Sequence, residues 1–127
     1  MRTTVAELVR GAVPDLAVHQ WLPEDVPEVP CVVVGRPLIT PDPDAPVAAL
    51  ATIPVTVVGR RYTADAAQAE LDDATWAVLA AFNWLRGMHT ADVQRLNVTT
   101  VEPDLVSIAG DEYPVYRISV DAHLIAC

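Results

Sequence analysis

The stretch AAQAELDDATWAVLAAFNWLR, residues 66–86, decides how the rest of the chain is read. Leu71, Thr75, Val78, Phe82 and Leu85 recur at helical spacing, and Ala74, Ala77 and Ala81 lie beside them. Together they form an apolar stripe wide enough to cover a sheet. Asp65 is placed to cap this helix, with Gln68 three residues on as a capping box requires. Glu70, Asp72 and Asp73 put negative charge towards the positive end of the helix dipole, and Arg86 followed by Gly87 marks the exit. At about 1.5 Å per residue the predicted helix is roughly 30 Å long, enough to cross a small sheet.

Upstream, Gly59, Arg60, Arg61 and Tyr62 lead into the helix from a strand expected over Leu50 to Val58, in which Pro54 argues for a sheet edge or a bulge. Thr40 to Pro46 (TPDPDAP) reads as the tip of a long hairpin. Its outgoing strand, Cys31 to Ile39, opens on Cys31, Val32, Val33 and Val34, an unbroken apolar run that predicts cover on both faces. Pro23 to Pro30 (PEDVPEVP) is a proline-rich acidic loop, and Leu16 to Leu22 before it reads as a strand. At the start of the chain, Thr4 and Glu7 form a second capping box. Val5, Leu8, Val9 and Ala12 then share one side of a short helix that Pro14 ends.

Downstream, a strand is expected near Val93 to Val101, where Leu96 and Val98 alternate with Asn97 and Thr99, and Ser107 to Glu112 carries turn signals. The last strand, Val115 to Ile125, has the cleanest period of two. Tyr116, Ile118, Val120, Ala122 and Leu124 fall on one face, and Arg117, Ser119, Asp121 and His123 on the other. One sheet face should therefore be wet or covered by another chain. The order α-β-β-β-α-β-β, without a regular βαβ alternation, predicts an α+β fold. A largely antiparallel or mixed sheet would carry both helices on one face, in a single domain spanning residues 1–127.

Seventeen acidic residues against eight arginines, with no lysine, give a formal net charge of −9. Such a surface repels phosphates, so nucleic-acid binding is disfavoured, although an acidic wall suits a channel through which DNA passes without sticking. Cys31 and Cys127 have no metal-ligand or disulfide-framework spacing, which fits a reduced, cytosolic setting. No signal peptide or membrane span is expected.

Few residues point to catalysis. Asp121 and His123 share a strand face and begin a metal site or an acid–base pair, but His19 and His89 have no spacing that supplies a third ligand. Cys31 among apolar neighbours reads as an inert core thiol. No phosphate-binding loop, dinucleotide fingerprint or nucleophile elbow occurs. The expectation is a protein that is not an enzyme and has no cofactor or metal. Trp76 and Trp84 lie off the main helical stripe, which leaves core packing or a subunit interface as their role. Arg60 and Arg61, adjacent cations on an acidic chain, are either solvated or pair across subunits with the Pro23 to Pro30 loop. Arg60, Arg61, Trp76 and Trp84 are thus the candidate interface residues.

In order and spacing the chain resembles the tail terminator family (tail completion or minor tail proteins) of long, non-contractile-tailed bacteriophages. The resemblance is carried by VAELVR near the N-terminus, PCVVV after the proline-rich loop, IPVTVVG, the long helix, and the closing YPVYRISVDAHL, and so covers nearly the whole chain. It implies a homo-hexameric ring that caps the completed tail tube and presents the head-joining surface. Its partners would be further copies of itself, the tail tube protein and a head-completion or neck protein, with DNA passing through the pore without specific binding. The implied location is the head-proximal end of the virion tail, assembled in the host cytoplasm. Alternatives are a head-closure or neck connector protein, or a small metal-dependent hydrolase using Asp121 and His123.

Overall fold

The computed structural model describes residues 2–14, 16–20, 30–41, 48–60, 65–82, 95–108 and 110–125. Among these residues, two helices and six strands follow in the order α1 (Arg2–Ala12), β1 (Ala17–His19), β2 (Cys31–Val34), β3 (Leu38–Pro41), β4 (Ala48–Val58), α2 (Asp65–Ala81), β5 (Arg95–Ile108) and β6 (Asp111–Ile125). The fold is α+β, as the order of apolar patterns predicts. The sheet is mixed and runs β1-β2-β4-β6-β5, with β3 pairing β4 beside β2. The β1–β2 pair is parallel and the other pairs are antiparallel.

Both helices lie on one sheet face. Val5, Ala6 and Val9 of α1 and Leu71, Val78, Leu79 and Phe82 from α2 and its exit share a core with Val32, Val34, Ile53, Val55, Val57, Ile118, Val120 and Ala122. Thr75 sits in the α2 stripe as a buried polar group, and its hydroxyl donates to the Leu71 carbonyl at 2.8 Å. That bond removes the cost of an unpaired hydroxyl in the core. Nη2 of Arg10 donates to the Val18 carbonyl at 3.3 Å and ties the end of α1 to β1.

α2 is shorter than its sequence pattern predicts. The Phe82 amide donates to the Leu79 carbonyl at 3.1 Å, an i to i−3 bond that tightens the chain out of the α-helix after Ala81. Asn83, Trp84, Leu85 and Arg86 lie outside the described residues. At the other end of the chain, α1 begins at Arg2, so Thr4 and Glu7 lie within the helix rather than at its cap. Burial of Val5 and Ala6, both fully covered, holds that first turn helical by packing, the larger source of helix stability in a short segment.

The predicted strand over Cys31 to Ile39 is two strands. Gly35, Arg36 and Pro37 interrupt it between β2 and β3, and the reason lies across the sheet at Pro54. β4 is an interior strand, not an edge, because β6 lines one side of it and β2 and β3 line the other. The Pro54 carbonyl accepts from the Gly35 amide at 2.7 Å. A residue's N–H and C=O point to the same neighbouring strand in an antiparallel ladder, so the donor that Pro54 lacks falls where β2 has stopped and β3 has not begun. Only glycine fits opposite. A Cβ on Gly35 would stand 2.6 Å from Pro54 Cγ.

The other sheet face is polar only in part. Arg117, Ser119 and Asp121 line it, but towards the β5–β6 turn it carries a second buried cluster of Cys31, Val33, Val58, Ile108, Tyr113 and Val115. β2 is thus covered on both faces, as its unbroken apolar run predicts. β5 continues well past Val101 to Ile108, and Gly110, at φ 85°, forms the turn into β6.

Candidate subunit interface

The helix layer is narrower than the sheet. α2 packs over β4, whereas β5, at the end of the strand order, keeps Val101 and Leu105 exposed on the helix-bearing side. Between α2 and β5 runs an open groove of about 450 Å³, lined by Asp72, Trp76, Leu79, Val98, Val101 and Tyr116 among others. A second hollow of about 360 Å³ adjoins it, with Arg60, Leu71, Leu105 and Pro114 in its wall. Asp72 and Tyr116 line both hollows and form the divide between them. The Asp72 charge beside the Tyr116 hydroxyl, burial, and a hydrogen bond to the Asp72 carboxylate all raise the Tyr116 pKa above its ordinary value.

Trp76, predicted as either core or interface, is 57% exposed on α2 and so is not a core residue. Arg60 Nε pairs with Glu70 Oε1 at 2.7 Å, and both side chains are about half exposed (50% and 40%). The guanidinium has a partner within its own chain and ties the exit of β4 to α2. Arg61, Trp84 and the acidic loop over 23–29 lie outside the described residues.

At the opposite edge of the sheet, β3 exposes Leu38 (71%) and Ile39 (52%). Leu38 pairs with Thr52 and Ile39 with Ala51, so the two point to opposite faces and neither face of β3 is covered. The predicted strand over Cys31 to Ile39 includes Leu38 and Ile39 but does not mark them, or Val101 and Leu105, as surface residues. The available signal was Leu38–Ile39 following a Gly-Arg-Pro break, since two adjacent large apolar residues cannot both face one core in a strand.

The chemical candidates have structural surroundings. Oδ1 of Asp121 accepts from the Thr52 hydroxyl at 3.0 Å across the β4–β6 pair. His123 follows it on β6, but its side chain is not among those described. Cys31 is fully buried, and desolvation pushes its thiol up to about 11, which suppresses the thiolate that a nucleophile needs. Among the described residues, no group of three or more His, Cys, Asp and Glu could hold a metal ion. No described helix is long and apolar enough to cross a membrane.

No protein-family model matches the chain, and no curated protein is significantly similar to it.

Proposed function

We propose that the chain is a ring-forming structural subunit of the tail terminator kind, which caps a completed phage tail tube and offers the surface that joins the head. The observation that carries this reading is the placement of two dissimilar apolar patches at opposite edges of one sheet, Leu38 and Ile39 on β3 and Trp76, Val101 and Leu105 beside β5. A head-to-tail ring needs two different surfaces on each subunit, whereas a two-fold dimer uses a single patch twice. The α+β architecture, which the family resemblance implies, supports the same reading. The charge of −9 suits a pore through which DNA slides without specific binding.

In this role the chain acts through surfaces and needs no catalytic group. The test is electron microscopy of phage particles that lack the protein. Overlong tails, or normal-length tails that never join heads, are the expected outcomes. Particles with normal tails joined to filled heads would refute the proposal.

A further inference from the structure

We infer that the groove between α2 and β5 is the seat for β3 of a neighbouring copy, with Ile39 entering beside Trp76 and Val101. The assignment rests on the ring reading above and adds to it the contact that closes the ring.

Four features of the molecule lead there. First, both halves of the contact are solvent-exposed in one chain and cannot meet within it. β3 and β5 are separated by β4 and β6, three strand spacings or roughly 14 Å. Second, Ile39 shares the helix-bearing face with Ala51, and Val101 pairs with Ile118 on that same face. A sheet continued from one copy's β5 into the next copy's β3 therefore delivers Ile39 to the groove side, and Leu38 to the reverse.

Third, the outer edge of β5 is suited to a short strand only. A register shift between Val98 and Thr100 lies on one side of the available stretch, and Pro103, which has no N–H, on the other. Between them, at alternate positions of residues 100–102, the outer edge offers N–H and C=O groups to a partner strand no longer than four-residue β3. Bulges and prolines of this kind protect an edge from indiscriminate pairing, so the same features limit what can add there.

Fourth, the charges match. Arg36, exposed just before β3, brings a cation to a groove whose wall carries Asp72, with Asp73 exposed next to it on α2. On a chain of net charge −9, copies repel at long range, and one local cation–carboxylate pair sets the register of approach. That repulsion is screened beyond about 8 Å at physiological ionic strength, so added salt or magnesium promotes the contact.

The test uses the full chain carrying Cys127→Ser, into which Ile39→Cys and Val101→Cys are introduced singly and together. Assembly is followed by light scattering across a salt series, with and without tail tube ends, and disulfides are formed with a mild oxidant. The expected result is a covalent dimer when the two single variants are mixed, little product from either alone, and a ladder ending at the ring number in the double variant. An internal disulfide is excluded, since a bridge needs Cα atoms within about 7 Å. Trp76→Ala should raise the protein concentration needed for assembly roughly tenfold or more, as loss of an aromatic anchor does, while its urea midpoint stays at the wild-type value.

Equal crosslinking within one single variant would mean a two-fold contact and overturn the inference. Scattering that shows rings without a mixed crosslink would overturn the seat and leave the ring reading standing. A chain that stays monomeric at every salt concentration and ignores tube ends would overturn both.

Discussion

Replacing Gly35 with alanine tests the device that separates β2 from β3 and so leaves β3 projecting from the sheet. The new Cβ would stand 2.6 Å from Pro54 Cγ and 3.4 Å from the Pro54 carbonyl oxygen. Carbon atoms rest at about 3.5–4.0 Å, so roughly 1 Å must be found. The Pro54 ring can repucker, but its Cβ is already only 3.6 Å away on the same side. The remaining way out is to draw residue 35 back, which stretches the 2.7 Å bond from its amide to the Pro54 carbonyl. Overpacking of this kind costs about 1–3 kcal/mol, and weakening the bond adds about 0.5–1.5. Loss of glycine's freedom in the unfolded chain offsets about 0.4–1 kcal/mol. The expected net destabilisation is therefore about 0.5–4 kcal/mol, centred near 2, read as a lower urea midpoint at unchanged slope.

The same clash makes a second, sharper demand. Pro54→Ala removes Cγ, so the double variant Gly35→Ala, Pro54→Ala should recover at least about 1 kcal/mol relative to the sum of the two single changes. A Gly35→Ala midpoint within about 0.5 kcal/mol of wild type, or strict additivity in the cycle, would refute the argument that Pro54 dictates a glycine opposite it.

Phe82→Ala empties the largest fully buried side chain among the described residues and should cost about 3–5 kcal/mol, whereas Asp73→Ala on the exposed face of α2 should stay within about 0.5; similar urea midpoints would mean the stripe is on the wrong face. Tyr116 should ionise above the ordinary tyrosine value of about 10, and Asp72→Asn should bring its ultraviolet titration back towards that value, because the Asp72 charge is the first cause of the shift. A raised folded pKa means that the stabilisation is fully present below the unfolded tyrosine pKa and is lost as pH rises through the folded one. Wild type should therefore lose stability relative to Asp72→Asn as pH rises through the Tyr116 titration, because the tyrosinate then faces the Asp72 charge.

Much of the fold is legible in the sequence because it rests on local periodicity. The α2 stripe needs only the 3.6-residue repeat to place Leu71, Thr75, Val78 and Phe82 on one buried face, and these four are buried. Alternation along β6 likewise places Ile118, Val120 and Ala122 in the core, and the run from Cys31 to Val34 announces a strand covered on both sides. Features that depend on what lies across the sheet were decided only by tertiary structure. Pro54 by itself reads as an edge or a bulge signal, yet β4 is interior, because the absent N–H matters only relative to where the partner strand is interrupted. Residues 102–105, Glu-Pro-Asp-Leu, have poor strand propensity, but pairing with Arg117, Tyr116, Val115 and Pro114 of β6 holds them extended. The exposure of Trp76 was likewise undetermined, since a helix pattern shows which residues share a face but not how far the sheet beneath extends. Here part of β5 extends beyond the helices, and the tryptophan overlooks the groove that this difference in width leaves open.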